Sequence, residues 1–586
     1  MPPKRKAPTT SKPSKRMRSS YGQIGARTAA DDTARMIAAH HLAEHAGGGG
    51  SYLAVRSLRT AVRSLRETSL EVAARGLYEA IRLQPKPTGG GGQAGGGRMW
   101  AGWDTDRDPA SVREVRDLSE YVQSLPEDLA NRLLGMVLDF SSQALESPND
   151  PGVSVLAIAA LFFHPNTTRL SLSSLSAPAV LISRIPQCTA LVDLNLSSLP
   201  SLKDAVLSKV LAQLPTLEKI NLKGCTKIGD SSMIAVSKAT EHRLKVANLS
   251  LTAVTIKGLT SLLARCSQLE VLKLATVAAL NEKNVNKLVE AATEAALGWR
   301  HIPLSHLRTL KLRQTDITDA SLGRLLSLCA TTLTHLDVSY SALKSLDIVS
   351  SALHTLPSWK LEKLVVSGLP LTSASMEGFF KPLSERPDEE RARFKILKIG
   401  SIPASSTKAP GLTDAVLSRL MPYLVKLDGL ESVSLFQNWG LGKAKEPMST
   451  FIEVIGRRCR HLDLTLSLES YHLEGLLPPL LPSPSDPSSS SSTDPPAPEP
   501  APPRLETLVL DSSRITDDAA GPISACRELQ ALHVAETRIS TRFLATVLNA
   551  CPHLSVLNLT SCRGVPVTQR RTFFDAWDNG EVVVAP

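Results

Sequence analysis

The chain has 586 residues, more than one compact core usually holds, so we expect several domains or an array of repeats. No apolar run is long enough to cross a bilayer, and eight cysteines without a CxxC pair argue against a disulfide scaffold or a zinc site. The net charge is +10, but residues 1–20 carry seven basic residues and no acid, so the rest of the chain carries only about +3. These features predict a chain from a reducing, intracellular environment that does not bind membranes.

The first 28 residues form a basic tail. They are rich in Pro, Ser and Lys and lack apolar periodicity, so the tail is predicted to be disordered. Two clusters resemble a bipartite nuclear localisation signal and predict a nuclear protein, with the cytoplasm as a second location. These clusters comprise Lys4, Arg5, Lys6, Lys15 and Arg16. The alternative is a solvated tail with weak affinity for nucleic acid.

Residues 29–97 are of low complexity and contain a segment between two glycine tracts. Apolar residues from Leu53 to Ile81 recur near helical spacing, which predicts a helix over this segment. Such a tethered helix could dock on a partner or could be an extension without a function.

Residues 98–165 are predicted to form a helical N-terminal cap. In "LPEDLANRLLGMVLDF" (125–140), a proline stands at the first helical turn and leucines follow at helical spacing. Because the first repeat follows directly, this helix would cover the open end of the repeat core.

The template L-x-x-L-x-L recurs through residues 166–562, mostly at intervals of 24 to 28 residues. It begins at Leu191, Leu217, Leu244, Leu269, Leu307, Leu333, Leu361, Phe394, Leu430, Leu505, Leu529 and Leu554, with weaker copies near Thr167 and His461. This period predicts an α/β leucine-rich-repeat solenoid with a parallel sheet on its concave face and helices on its convex face. A Pro- and Ser-rich stretch at about 472–504 is predicted to be a disordered insertion, and residues 563–586 a C-terminal cap and tail in which aromatic side chains seal the last layer. Those aromatic residues are Phe573, Phe574 and Trp577.

One repeat, "HLRTLKLRQTDITDASLGRLLSLC" (306–329), shows how the pattern works. Leu310 and Leu312 alternate with polar residues, so the leucines face the core and the intervening side chains face outward. The turn "ITD" predicts that Asp319 caps the following helix. Cysteines such as Cys329 recur near the ends of these helices, where we expect them to act as small packing residues rather than ligands.

The stretches 217–233 and 307–329 resemble the cysteine-containing, ribonuclease-inhibitor-like subfamily of leucine-rich repeats. That subfamily includes F-box proteins with leucine-rich repeats, the antagonist of the mitotic exit network and a fungal nucleotide-excision-repair subunit. The resemblance implies a curved surface for a protein partner, often in a substrate receptor of a cullin-type ubiquitin ligase. Residues 125–140 resemble the opening of an F-box, but the later part of that motif has no counterpart, so this segment could bind a ligase adaptor or only cap the solenoid.

The outward-facing strand positions in the middle of the array are mainly basic. We call the following eight residues the basic band: Lys219, Asn221, Lys223, Lys273, Lys311, Arg313, Lys363 and Lys398. Only one acid, Asp337, shares these columns between residues 217 and 400. The basic band predicts a protein partner with an acidic or phosphorylated segment. Nucleic acid is a secondary option, because the columns contain almost no aromatic residues for base stacking.

No spacing of nucleophile, base or phosphate-binding loop predicts catalysis, so we expect neither an enzyme nor a cofactor or metal. Two functions remain open. The first is a nuclear interaction scaffold, with a ubiquitin-ligase substrate receptor as its specific form. The second is a chromatin- or repair-associated factor that contacts nucleic acid through its basic tail and arch.

Overall fold

The computed structural model describes nine stretches of the chain, and every structural statement below refers to these residues. They are 53–55, 65–82, 109–145, 155–173, 179–297, 303–356, 358–402, 411–478 and 501–579. The predicted nuclear localisation signal lies outside them, so it stays a prediction.

Fifteen short strands of the described chain form one sheet. They are β1 (Leu53–Val55), β2 (Arg169–Ser171), β3 (Asp193–Asn195), β4 (Lys219–Asn221), β5 (Val246–Asn248), β6 (Val271–Lys273), β7 (Thr309–Lys311), β8 (His335–Asp337), β9 (Lys363–Val365), β10 (Ile396–Lys398), β11 (Ser432–Ser434), β12 (His461–Asp463), β13 (Thr507–Val509), β14 (Ala531–His533) and β15 (Val556–Asn558). Strands β2 to β15 lie side by side in chain order and are parallel, and β1 pairs antiparallel with β15. The fourteen parallel strands coincide with the twelve templates and two weaker copies.

Helices connect successive strands and pack against one face of the sheet. They are α1 (Leu65–Arg82), α2 (Pro109–Ser124), α3 (Glu127–Leu145), α4 (Val155–Phe162), α5 (Ala179–Ile182), α6 (Asp204–Leu211), α7 (Asp230–Thr240), α8 (Ile256–Arg265), α9 (Glu282–Leu297), α10 (Asp319–Cys329), α11 (Asp347–His354), α12 (Ser373–Ser384), α13 (Asp388–Arg393), α14 (Asp414–Leu424), α15 (Lys445–Val454), α16 (Ala520–Ser524), α17 (Thr541–Ala550) and α18 (Val567–Asn579). None of the described helices combines the length and apolar character needed to cross a membrane. This alternation of parallel strands and helices is a leucine-rich-repeat solenoid, as predicted.

The template leucines fill the space between sheet and helices. In the repeat that contains β7, Leu307, Leu310 and Leu312 are at most 1% exposed, and helix residues Leu322 and Leu326 are completely buried. Each buried leucine contributes about 1.5–3 kcal/mol relative to an exposed one, so the repeated layers supply most of the stabilisation. The core of the described residues is continuous from the helices before β2 to α18.

All eight cysteines are buried and free, which confirms their prediction as packing residues. The Sγ atom of Cys225 lies 3.0 Å from the Leu196 carbonyl oxygen of the preceding repeat, and Cys562 makes the same contact with Val534. Burial raises the pKa of Cys266 and Cys329 to about 12, so these thiols stay protonated. They therefore act as small apolar side chains with a weak donor.

The prediction that Asp319 caps its own helix is wrong. Thr318 is the N-cap residue of α10, and its backbone N–H bonds to the Ser321 hydroxyl at 3.0 Å. The Asp319 carboxylate instead accepts hydrogen bonds from the N–H groups of Lys344 and Ser345, one repeat further on, at 3.1 and 3.3 Å. The first helical position already has helical backbone, so its side chain points toward the neighbouring turn rather than back to its own N–H groups.

The same bond between repeats recurs along the array at Asp204, Asp230, Asp414 and Asp517. Asp414 makes the largest set, because it accepts from the N–H groups of Gly442, Lys443 and Ala444 at 2.8–2.9 Å. Burial raises the pKa of Asp204, but hydrogen bonds from Ser232 and its neighbours outweigh that effect and hold the pKa below its usual value. Each of these aspartates bonds the start of its own helix to the turn of the next repeat.

Helix α3 covers the free edge of the first parallel strand, β2. The Glu127 carboxylate accepts from the backbone N–H and the hydroxyl of Thr168, both at 2.7 Å. Asn131, one turn later, accepts from the Ser171 N–H at 2.9 Å and donates to the Arg169 carbonyl at 3.1 Å. The two side chains satisfy edge groups that a neighbouring strand would otherwise bind. Helix α3 therefore covers this edge of the sheet, whereas adaptor binding stays a prediction.

The segment between the glycine tracts differs from the single predicted helix. Leu53 lies in a strand that pairs with β15, and the helix is confined to α1. Helix α1 buries Leu70 and Leu77 against the cap and leaves Val72 67% exposed. The strand escaped prediction because its partner lies about 500 residues away along the chain.

Helix α18 lies at the C-terminal end of the array, where Phe573 and Trp577 are 4% and 3% exposed and Phe574 is partly buried. Residues 472–478 and 501–504, predicted as part of a disordered insertion at 472–504, belong to the described chain, and a 3₁₀ helix, Ser470–Leu476, buries His472, Leu473 and Leu476. Residues 479–500 lie outside the described chain. The Arg457 guanidinium holds both flanks together through the carbonyl oxygens of Leu477 and Ala501, at 2.6 and 2.8 Å.

Candidate partner-binding surface

The first and third residues of each strand face away from the helices, and the register aligns them in two columns across the sheet. The first column runs from Lys219 to Val246 and then to Val271 on successive strands. The second column runs from Asn221 to Asn248 and then to Lys273. Neighbouring strands are about 4.8 Å apart, so side chains in one column contact each other or a shared ligand.

The densest part of the basic band lies on β6 and β7. Lys273 and Lys311 occupy the same register position on these adjacent strands, and both are partly exposed. Arg313, two residues after Lys311, places its guanidinium carbon 5.1 Å from the ring centroid of Tyr340. Its Nε atom is buried and has no hydrogen-bond partner in the described part of the chain. Together these three residues form a compact positive cluster, which we call the central cluster.

Backbone geometry fixes the Tyr340 ring that supports Arg313. The ring lies against Gly368 of the next repeat, where a Cβ atom would come within 2.2 Å of Tyr340 Cδ1. Gly368 also has a φ of +72°, a conformation that favours glycine. The Tyr340 hydroxyl donates to Ser401 at 3.3 Å. The ring is therefore held on both sides, and it presents a fixed face to the guanidinium.

The remaining members of the basic band are dispersed. Lys219, Asn221 and Lys223 lie on or just after β4, where both lysines are exposed, and strand β5 separates them from the central cluster. Lys398 lies on β10, three strands beyond β7. The structure therefore brings three of the eight residues together and leaves the others as flanking positions.

Lys363 does not face solvent as predicted, because it is only 7% exposed. Val365 on the same strand is 3% exposed, and Asp337 on the neighbouring strand is 4% exposed. These outward positions of β8 and β9 are therefore covered by neighbouring side chains. The sequence pattern gives the direction of a side chain but not how far its neighbours cover it. The charge of Lys363 nevertheless affects the nearby His335. Burial lowers the pKa of His335, and the charges of Lys363 and Lys311 lower it further.

A row of alternating charges runs beside the basic band and was missed by the sequence analysis. It consists of the residue immediately before each of the strands β4 to β13: Glu218, Lys245, Glu270, Arg308, Thr334, Glu362, Lys395, Glu431, Arg460 and Glu506. Lys245 Nζ lies 2.9 Å from Glu218 Oε2, Lys395 Nζ lies 3.3 Å from Glu431 Oε1, and Arg460 pairs with Glu506. The alternation was visible in the sequence, but only the register shows that these positions are neighbours. Because its five acids and four bases nearly cancel, this row adds little net field.

The far part of the concave face carries the opposite charge. Asp463 on β12, Asp511 just after β13 and Glu536 just after β14 form an acidic end. Burial raises the pKa of Asp511 to about 6, and the charges of Asp463 and Glu536 raise it as well. Burial also lowers the pKa of His533, against the opposing charge of Asp463. The concave face is therefore positive around β6 and β7 and negative around β12 to β14.

Within the described chain, no group of three or more His, Cys, Asp or Glu side chains could hold a metal ion.

Comparisons with known proteins agree with the repeat pattern at the sequence level. Residues 213–237, which include β4, match the model of the family described as Leucine Rich repeat. No curated protein matches the sequence. Among solved structures, the chain is similar to one in the complex of Rad7 and Elc1 in yeast, with 15% identity, 79% of this chain and 96% of that chain covered, and a TM-score of 0.42. It is also similar to an internalin, InlF, from Listeria monocytogenes, with 12% identity, coverages of 77% and 89%, and a TM-score of 0.31. The chain thus carries a leucine-rich repeat recognisable by sequence, within the solenoid described above.

Proposed function

We propose that this protein is a non-enzymatic interaction scaffold of the nucleus whose concave face binds an acidic or phosphorylated segment of a partner protein. The observation that supports this most is the central cluster. Lys273 and Lys311 share one register position on neighbouring parallel strands. Like charges placed side by side destabilise a sheet by a few tenths of a kcal/mol to about 1 kcal/mol. A carboxylate or phosphate between them offsets that repulsion and lies beside the positive Arg313 guanidinium, a favourable charge-assisted contact.

The test is charge reversal of the central cluster in the full chain. K273E/K311E/R313E is compared with K257E/K283E/K287E, which alters three lysines on α8 and α9 of the convex face. The probes are fluorescein-labelled hexaglutamate and a hexapeptide with three phosphoserines, measured by fluorescence anisotropy. We expect the first variant to lose at least tenfold in affinity at an unchanged Tm, and the second to bind as the wild type does. Equal binding by both variants would refute the proposal.

A substrate receptor of a cullin-type ubiquitin ligase is the specific form that we propose for this scaffold. Its support is the resemblance of residues 125–140 to the opening of an F-box. In the structure α3 uses Glu127 and Asn131 to cap β2. Affinity purification with mass spectrometry tests this form, because recovery of cullin and adaptor subunits is expected only if it is correct.

The alternative function is a chromatin- or repair-associated factor that contacts nucleic acid directly. It is supported by the basic tail, with five clustered basic residues, and by the positive central cluster. A labelled 20-nucleotide single strand titrated at 50 and 200 mM salt separates the two functions, because phosphate contacts are strongly salt-dependent. Neutralising the tail cluster in the full chain should remove such binding if only the tail matters. The same tail variant fused to a fluorescent protein tests nuclear import.

A further inference from the structure

A groove of about 490 Å³ lies on the rim of the solenoid, beyond the carboxyl ends of β11, β12 and β13. We call it the rim groove. Residues from three loops line it: Trp439 and Lys443 follow β11, Ser467 and Tyr471 follow β12, and Arg514 follows β13. The groove is separate from the central cluster, which belongs to β6 and β7. Its volume falls in the usual range for ligand sites of about 300–1,000 Å³.

Two aromatic side chains in the rim groove are unusually accessible. Trp439 is 51% exposed and Tyr471 is 37% exposed, whereas Trp359, Phe379 and Phe451 are almost completely buried in the core. Exposed aromatic rings in a groove suit proline, whose extended segments are already ordered before they bind.

The charge of the rim groove is positive. Lys443 is exposed and has no carboxylate partner in the described chain. Arg514 is 62% exposed at its side chain and lies 3.8 Å from Glu469. The Glu469 carboxylate is partly engaged, because it also caps the 3₁₀ helix Ser470–Leu476. An acidic ligand therefore complements this groove, whereas a basic one is repelled.

The loop that carries Trp439 and Lys443 is fixed before any ligand arrives. The three hydrogen bonds to Asp414 hold the N–H groups of residues 442–444. Gly442 has a φ of +74°, and a Cβ there would lie 2.9 Å from Leu468 Cδ2, so the loop is packed closely on the next repeat. A preformed groove avoids the entropy cost of ordering its own loops when it binds.

We propose that the rim groove binds an extended segment of a partner protein in which proline alternates with aspartate or glutamate. Trp439 contacts the prolines beside the Tyr471 ring, which Lys445 Nζ approaches to 5.8 Å, and Lys443 and Arg514 pair with the carboxylates. This site goes beyond the proposed function and does not depend on the central cluster.

Residues 479–500 of the chain itself have a similar composition, with eight prolines, three acids and no base. Arg457 holds both flanks of that segment just before β12, whereas the rim groove lies beyond the ends of the strands. The flanks therefore lie at the amino ends of the strands, and the groove lies at their carboxyl ends. Deletion of residues 479–500 distinguishes a partner segment from this intramolecular one.

The test uses the full chain and two fluorescein-labelled peptides, PPEPDP and PPKPKP, in fluorescence anisotropy. We expect saturable binding of the acidic peptide and about tenfold weaker binding of the basic one. W439A and K443E should each weaken the acidic peptide about tenfold. The matched controls on other rim loops, L251A and K227E, should leave it unchanged. The triple reversal of the central cluster should also leave it unchanged, so failure of one site is distinguishable from failure of the other.

Three results would overturn the assignment. Equal affinity for the two peptides, or no loss in W439A, would mean that the groove does not recognise this chemistry. A tenfold or greater gain in affinity when residues 479–500 are deleted would make that segment the occupant. Unchanged affinity in the deletion variant supports a partner segment.

Discussion

Replacing Asp414 with alanine removes the acceptor of three N–H groups in the next repeat. Asp414 is 9% exposed, and the three N···O distances are 2.8, 2.9 and 2.9 Å. A hydrogen bond to a charged group contributes about 1.5–3 kcal/mol net. Lys443 and Ala444 are exposed, so water replaces part of the loss at their N–H groups. We therefore expect the opening of this turn to become easier by about 3 kcal/mol, less than three full bonds would give.

Hydrogen–deuterium exchange with mass spectrometry measures this local opening directly. A change of 3 kcal/mol corresponds to about a hundredfold faster exchange at residues 442–444. Global melting is a weaker measure, because a repeat array need not unfold in one step. Asp414→Asn should fall between wild type and alanine, since it retains one acceptor oxygen but turns an NH₂ group toward N–H donors.

Asp388→Asn is the matched control, because its carboxylate side chain is 90% exposed and pairs only with Arg391 within the same helix. It should leave exchange at residues 442–444 unchanged. If Asp414→Ala exchanged no faster than this control, the bonds between repeats would contribute nothing, and the explanation of the recurring aspartates would fail.

Three further changes test other parts of the structure. Glu127→Ala combined with Asn131→Ala should expose the edge of β2 and cost about 2–4 kcal/mol, seen as faster exchange confined to the first two strands. The thiols of Cys266 and Cys329, whose pKa burial raises to about 12, should be alkylated by iodoacetamide at pH 8 far more slowly in the native protein than in guanidinium, and equal rates would contradict their burial. The pKa of Asp511 is raised from 3.8 to about 6, so its contribution to stability is fully present below about pH 4 and is lost as the pH rises through 6. Asp511→Asn should therefore stabilise the protein at pH 8, by about 2 kcal/mol after allowance for solvent screening, and have little effect at pH 4, as measured by chemical denaturation.

The repeat period was sufficient to predict the solenoid, because buried leucines at fixed spacing leave the chain one way to stack its layers. It also located all fourteen parallel strands, including the weak copies near Thr167 and His461. What it could not predict depends on contacts between repeats. Asp319 was assigned to its own helix because spacing within one repeat cannot reveal an acceptor role for the next one.

The candidate surface shows the same limit. The pattern correctly placed Lys273 and Lys311 on the outward side of their strands, but it treated Lys363 as equivalent, although neighbouring side chains cover it. The rim groove was not predicted, because its residues come from three loops that have no common sequence pattern. The sequence offered one signal, which was Trp439 among polar residues and glycine. A single tryptophan does not identify a groove.

The N-terminal segment connects the two ends of the array. Strand β1 pairs with β15, whereas α1 packs on α3 at the other end, with the Tyr78 and Phe140 ring centroids 6.0 Å apart. Nine residues separate Val55 from Leu65, and the ten steps between these Cα atoms reach at most about 35 Å when fully extended. The Cα atoms of Val55 and Leu65 are therefore no farther apart than this distance, and the segment contacts both ends of the array. Terminal repeats of an open solenoid have a neighbour on only one side and fray first, but here both edges are covered. The central cluster thus lies within an array whose two edge strands are both covered, which limits fraying toward the strands that carry it.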